Sequence, residues 1–180
     1  METNQKLKIT SNLWFDNQAE EAARFYASIF KNSRIGRITH YSREGYEIHK
    51  RPAGSVMTVE FWLGDQKFTA LNGGPIFKFN EAVSFVVNCE NQQEIDRYWE
   101  KLSQGGDMDA QQCGWLKDRY GLSWQIVPNS LADMLNDPDE EKKNRVMKVF
   151  LQMKKIDIAS LERAFKKETP GSKLSVAHFE

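Results

Sequence analysis

Two side chains stand out as possible reactive groups, the carboxylate of Glu60 and the thiol of Cys113, and His40, His49 and His178 are the candidate bases. Glu60 lies in an alternating apolar stretch. Enclosure there would raise its pKa toward that of a general base, whereas pairing with a Lys or Arg across a sheet would not, and the paired reading is favoured. A thiol at Cys113 activated by Lys117 would be a nucleophile. No histidine is spaced to act as its base and no HExxH pattern joins the three, so Cys113 reads as a packing residue. Gly73-Gly74-Pro75 follows a strand without opening a helix and reads as a tight turn rather than a phosphate cradle. The basic run His49-Lys50-Arg51 reads as a solvated loop.

These groups sit in a chain of 180 residues, with Lys plus Arg equal to Asp plus Glu at 25 each. That balance offers no global field to attract nucleic acid or an anionic membrane. Two cysteines, Cys89 and Cys113, are too few for a disulfide framework and lack CxxC spacing. No apolar run approaches a membrane span, and Met1 to Lys8 carries no apolar leader pattern. A soluble, cytoplasmic protein is the expectation, with a small molecule rather than nucleic acid or membrane as partner.

The elements that would hold these residues repeat. Lys6 to Phe15 alternates as a strand, Asn17 and Glu20 have capping-box spacing, and Ala22, Phe25, Tyr26, Ile29 and Phe30 recur at helical spacing. Strands are expected over Arg34 to Ser42, Ser55 to Leu63 and Gln66 to Asn72, the last two joined by a Gly64-Asp65 turn. The order βαβββ then recurs: a strand over Ala82 to Asn88, a helix opened by Asn91 and Glu94 and ended by Gly105-Gly106, and strands at Asp109 to Gln112, Trp115 to Asp118 and Leu122 to Val127. Val83 and Phe85 are assigned to the core side. Beyond Asn129, Asp137-Pro138 starts an amphipathic helix through Val146, Val149, Phe150 and Met153. Asp157 starts another, with Ile158, Leu161 and Phe165 on one face. The organisation expected is a tandem domain over 1–128, with modules at about 6–75 and 80–128, a helical extension over 129–168 and a loose tail over 169–180.

Several of these segments resemble the PhnB-like branch of the vicinal oxygen chelate superfamily, many of whose members carry the name 3-demethylubiquinone-9 3-methyltransferase. They are Leu13-Trp14-Phe15, Ala70-Leu71-Asn72-Gly73-Gly74-Pro75, Phe77 to Glu81, Cys113 to Asp118, Gly121 to Pro128, and Arg145 to Leu161. The resemblance implies an α+β fold in which two βαβββ modules form a cup-shaped, eight-stranded mixed sheet, followed by C-terminal helices, and it suggests a homodimer. It also implies that metal-binding relatives draw ligands from the first and last strands of each module. Here those positions fall on Thr10, Ala70, Ala82 and Gln125, with Asn72 as an alternative. Neutral amide and hydroxyl oxygens bind transition ions poorly, so no catalytic metal and no other cofactor is expected. Glu81 matches a recurrent position of the family, for which a structural hydrogen bond is reason enough.

Strand parity assigns the concave surface. Thr10, Asn12, Trp14, Thr58, Glu60, Trp62, Phe68, Asn72, Ser84 and Gln125 are expected to face inward and form an aromatic and amide-rich pocket. The function expected is therefore small-molecule binding, with the substrate and any catalysis undetermined. The alternatives are a metal-dependent lyase or dioxygenase, the methyltransferase of the family name, and a structural protein with a vestigial cup. The methyltransferase lacks support from the first strand, where Trp14-Phe15-Asp16-Asn17 contains no glycine.

Overall fold

A computed structural model describes residues 9–167, so the tail over 169–180, His178 and the polar stretch from Met1 to Lys8 lie outside the described residues. The chain divides into two compact units, Met1–Phe79 and Asn80–Glu180.

The first unit has the expected βαβββ order: β1 (Ser11–Phe15), α1 (Ala19–Ile29), β2 (Arg34–His40), a short α2 (Tyr46–His49) that periodicity does not foretell, β3 (Val56–Leu63) and β4 (Gln66–Asn72). The strands lie in the order β1-β4-β3-β2, with β1 parallel to β4 and the other pairs antiparallel. Helix α1 buries Ala19, Ala22, Ala23, Tyr26 and Ile29, while β3 contributes Val59 and Phe61 to the same core. The rings of Tyr26, Phe61 and Phe68 stack in series at 6.2 and 5.1 Å. Small alanines on the helix let its backbone approach the sheet and leave the space between to these rings.

The β4 face assignment needs correction. The two-residue Gly64-Asp65 turn pairs Leu63 with Gln66, Phe61 with Phe68 and Val59 with Ala70. Directly paired residues share a face, so Phe68, Ala70 and Asn72 point toward α1 with Phe61 and Val59, not toward the open face. Lys67, Thr69 and Leu71 join Thr58, Glu60 and Trp62 on that open face instead.

Asn72 explains a second departure. The Asn17/Glu20 capping box does not form: Gln18 is the N-cap and offers no side-chain bond, and Glu20 pairs with Arg24 at 2.6 Å. The first free N–H of α1, that of Ala19, donates to Asn72 Oδ1 at 2.8 Å. Asn72 Nδ2 donates in turn to the Val56 carbonyl at 3.1 Å. A strand residue thus does the work of a cap and ties helix to sheet.

The second unit contains β5 (Ser84–Cys89), α3 (Gln92–Ser103), β6 (Trp115–Lys117), β7 (Ser123–Pro128), α4 (Ser130–Leu135), α5 (Glu140–Phe150) and α6 (Ile158–Lys166). Its sheet has three strands in the order β5-β7-β6, not four. The strand expected over Asp109 to Gln112 is replaced by a 3-10 helix, Met108–Ala110, because Asp107 accepts the Asp109 N–H at 2.9 Å and draws the chain into a turn. Only an isolated bridge, Gln112 to Trp115, remains of that pairing. The described residues therefore hold seven strands in sheets of four and three rather than one sheet of eight. Cys113 and Gly114, at φ +50° and +81°, form the tight turn between the bridge residues, so Cys113 lies on a turn and not on a strand. Val83 precedes β5 and is exposed, against the core assignment.

Helix α3 starts as expected, with Asn91 accepting the Glu94 N–H at 3.0 Å, and buries Ile95, Tyr98 and Leu102. The C-terminal helices belong to this unit. Met153 and Lys154 carbonyls accept the Cys113 and Gly114 N–H groups at 2.7 and 2.8 Å. Gln92 clamps the segment before α6 by donating to the Ile156 carbonyl and accepting the Ile158 N–H. Val146, Ile156 and Leu161 are fully buried. Helix α5 starts at Glu140 under Asp139, slightly later than Asp137-Pro138 suggested, and ends at Phe150. Asp157 caps α6 as expected, accepting the Ser160 N–H at 2.7 Å. Among the described residues no helix is long and apolar enough to cross a membrane.

Because Asn72 is buried and satisfies one donor and one acceptor, Asn72→Ala should lower the unfolding free energy by about 2 kcal/mol in a urea titration. Exposed Asn12→Ala should change it by less than about 0.5 kcal/mol.

Candidate functional site

The first unit carries a half-open cavity of about 560 Å³. Its floor is Trp14 and Leu71 on the open sheet face, one wall is Tyr41 with the α2 segment from Ile48 to Arg51, and the other is Gly73 to Ile76 after β4. Sequence order puts these three segments far apart. What brings them together is the β1/β4 pairing, which sets Trp14 beside Leu71, and a short set of directional bonds.

Trp14 Nε1 donates to the Gly74 carbonyl at 2.8 Å, and the Gly73 N–H donates to the Phe15 carbonyl at 2.9 Å. The loop lies flat on the indole: a Cβ on Gly73 would come within 2.2 Å of the Trp14 ring. Gly74, at φ +101°, would place a Cβ 2.8 Å from Arg51 Nη2. The two glycines are needed here for close backbone approach as much as for turning. Arg51 reaches back to β1, donating from Nη2 to the Asp16 carbonyl at 2.8 Å and to Asp16 Oδ1 at 3.2 Å. The Tyr41 hydroxyl donates to the Asn72 carbonyl at 2.6 Å.

His49 is held by both nitrogens. Its Nδ1 accepts the Arg51 N–H at 3.0 Å, so the ring hydrogen sits on Nε2, which donates to the Glu44 carbonyl at 3.1 Å. Its ring stacks on Tyr41 at 4.6 Å. The imidazole builds the wall and has no nitrogen left to act as a base.

Of the residues expected to line a pocket, Trp14 alone lies on this cavity. Thr10 and Asn12 are exposed, Thr10 just before β1. Trp62 is on the open face, clasped by Arg34 at 4.0 Å and Lys67 at 5.2 Å from its ring centroid. Phe68 and Asn72 are buried on the helix side. In the second unit Gln125 Nε2 donates to Ser84 Oγ at 2.8 Å, so those two do meet, on the face of the three-stranded sheet away from α3. Tyr41, His49, Arg51 and Gly73-Gly74 were missed as a group. Gly-Gly-Pro directly after a strand was a visible signal of close backbone approach; nothing in the spacing pointed to the His49-Lys50-Arg51 run.

The candidate reactive groups take structural roles. Glu60 pairs with Lys67 at 2.8 Å and approaches Arg37 at 3.9 Å, and the Lys67 hydrogen bond holds its carboxyl below the ordinary range, opposite to the rise a general base needs. Burial pushes the Cys113 thiol up, and its Sγ lies 3.6 Å from the Phe150 carbonyl. Burial pushes Cys89 up to about 12. Lys117, proposed as the activator of Cys113, is paired with Glu81, whose pKa that bond lowers. The buried carboxylate of Asp118 accepts the Tyr120 and Leu122 N–H groups and Trp124 Nε1, which fixes the β6–β7 connection.

The positions at which a metal could be held do not fit one. Ala70 is fully buried on the helix side and Ala82 is exposed, neither with a donor atom, and Thr10 is exposed. Both amide atoms of Asn72 are already bonded, and Gln125 bonds to Ser84. Among the described residues no three His, Cys, Asp or Glu side chains gather as a ligand set. A nucleotide-type cofactor meets a similar obstacle. The connection from β1 to α1, Asp16-Asn17-Gln18, has no glycine, and the first helical N–H is taken by Asn72.

Comparison with known proteins agrees with this architecture. The family described as 3-demethylubiquinone-9 3-methyltransferase matches residues 7–127. A PhnB protein from Bacillus cereus carrying the same methyltransferase label is 35% identical, covers 68% of this chain and 99% of its own, and superposes with a TM-score of 0.59. Protein PA1353 from Pseudomonas aeruginosa, 18% identical over 68% of this chain and 98% of its own, shares the fold at a TM-score of 0.51. No curated protein matches. With two thirds of its length matched and a one-third-identical structure over the same span, this chain belongs to the 3-demethylubiquinone-9 3-methyltransferase family, the PhnB-like branch of the vicinal oxygen chelate superfamily.

Proposed function

We propose that the protein binds a small organic molecule in the cavity of its first unit and does so without a resident transition ion. The observation that carries this reading is the cavity itself: about 560 Å³, a volume typical of small-molecule sites, walled by rings and aliphatic side chains that are fixed by hydrogen bonds. Trp14, Tyr41 and His49 each spend their polar atoms on the protein, so what they turn to the pocket is ring carbon rather than free donors. A site so pre-formed loses little ordering entropy on binding. A methyl-transfer reading would need a donor cradle that the β1–α1 connection does not form. The two unpaired thiols suit a reducing compartment, and we place the protein in the cytoplasm.

Native mass spectrometry of the freshly purified full chain should reveal a co-purified small molecule, and the neutral dye N-phenyl-1-naphthylamine should bind with a single site per chain. Trp14→Ala, which removes the floor, should weaken the dye at least about tenfold. Absence of both adduct and dye binding would remove the cavity reading.

The reactive groups give a separate check. At pH 8 both thiols should stay protonated and react with a disulfide reagent at least about tenfold more slowly in the folded chain than in urea. A fast thiol would restore Cys113 as a nucleophile. Glu60 should titrate by NMR below 4.5, and Lys67→Met should raise its midpoint. Since its folded pKa is lowered, the ion pair stabilises the chain above the unfolded value of 4.5, and that contribution fades as pH falls through the folded pKa.

A further inference from the structure

The polar inventory of the first unit's cavity is one-sided. Its hydrogen-bonding groups are almost all committed. Trp14 Nε1 is given to the Gly74 carbonyl, the Gly73 and Gly74 N–H groups to the Phe15 and Asp16 carbonyls, the Tyr41 hydroxyl hydrogen to the Asn72 carbonyl, and both His49 nitrogens to Arg51 and Glu44. What remains is cationic. Arg51 uses only Nη2, toward Asp16, so its Nε and Nη1 donors have no protein acceptor among the described residues. Lys50, exposed at the rim, has among the described residues only the ring of Tyr46, 5.7 Å from its ammonium.

Among the described residues no Asp or Glu lines the cavity. Asp16 offsets the charge of Arg51 across one edge of the guanidinium, at 3.2 Å, and the Lys50 charge is left over. The Arg51 side chain is only 21% exposed, so its remaining donors face a partly desolvated space, where an anion is held more firmly than at an open surface. Trp14, Leu71, Ile48 and Ile76 supply the apolar remainder. A neutral sugar or polyol needs donors and acceptors in alternation, which this wall does not offer. A cation would meet two like charges.

Resting on the reading of this cavity as the binding site, we infer that its ligand is an amphipathic anion: a carboxylate, phosphate or sulfonate oxyanion set against Arg51 and Lys50, with an apolar, preferably planar, body over Trp14. Arg51 is the specificity-determining residue. Its Nε and Nη1 donors can each meet an anionic oxygen singly, and Lys50 adds charge at the mouth.

Two dyes that share a ring system test this on the full chain: 8-anilinonaphthalene-1-sulfonate and its uncharged counterpart N-phenyl-1-naphthylamine. Arg51→Met keeps most of the side-chain stem. It should weaken the sulfonate dye at least about tenfold more than it weakens the neutral dye. Added salt should weaken the sulfonate dye alone. If Arg51→Met fails to fold, wild-type protein still decides: benzoate should displace the sulfonate dye and benzyl alcohol should not, and Lys50→Gln should weaken it severalfold. Equal losses for both dyes, or displacement by benzyl alcohol as readily as by benzoate, would overturn the anion preference while leaving the cavity as a binding site. Failure of both dyes to bind wild-type protein that also carries no co-purified adduct would overturn both readings together.

Discussion

The register of one hairpin governs the first unit. Because Gly64 and Asp65 alone connect β3 to β4, Leu63 must face Gln66, and every later pair follows. That count sends Phe68 and Ala70 to the α1 core and puts Leu71 on the open face, beside Trp14 through the parallel β1/β4 pairing. A slip of one residue would bury Lys67 and Thr69 under α1 and eject Phe68, so the core and the cavity floor are two consequences of one pairing. Asn72 at the end of β4 locks the outcome: its amide closes the helix N-terminus, and its backbone carbonyl holds Tyr41 against the cavity.

In the second unit the corresponding control is exerted by the Cys113-Gly114 turn. A Cβ at Gly114 would meet the Ile126 carbonyl at 2.8 Å and the Ile156 side chain at 2.9 Å. The turn is therefore pinched between β7 and the segment leading to α6. Met153 and Lys154 take the two turn N–H groups, so the C-terminal extension anchors the turn that leads into β6. The extension that follows the matched family region is thus integral to the core of its unit, as the full burial of Val146, Ile156 and Leu161 attests.

Much of the fold could be read from periodicity, since the helices over Ala19–Ile29, Gln92–Ser103 and Ile158–Lys166 and all seven strands lie in the segments where spacing puts them. The β4 face was also legible and was misassigned: a two-residue turn makes odd residues of β3 face even residues of β4, so Trp62 and Phe68 could not share a side. The capping of α1 was not legible, because Asn72 is 53 residues from the N–H it accepts. The same holds for the cavity wall. Arg51 is placed by Asp16 and His49 by Arg51 and Glu44, contacts that leave no trace in hydrophobic spacing. The Asp109 to Gln112 strand failed for a local reason, a side-chain cap at Asp107 that competes with the ladder.

Family membership and activity separate at the level of single atoms. A transition ion is held by lone pairs aimed at one point, and a family can keep its strands while those lone pairs are lost or diverted. At the position that the resemblance assigns to Ala70 or Asn72, the alanine has no donor and the asparagine's amide oxygen serves a helix start. The same substitution of roles befalls the charged residues. Glu60 and Lys67, side by side on the open face, neutralise each other, while Arg51 and Lys50 at the cavity keep more positive charge than Asp16 cancels. Among the described residues the pocket wall presents no carboxylate, and its one imidazole is bonded at both nitrogens, so its charge is cationic while its remaining polar atoms serve the fold.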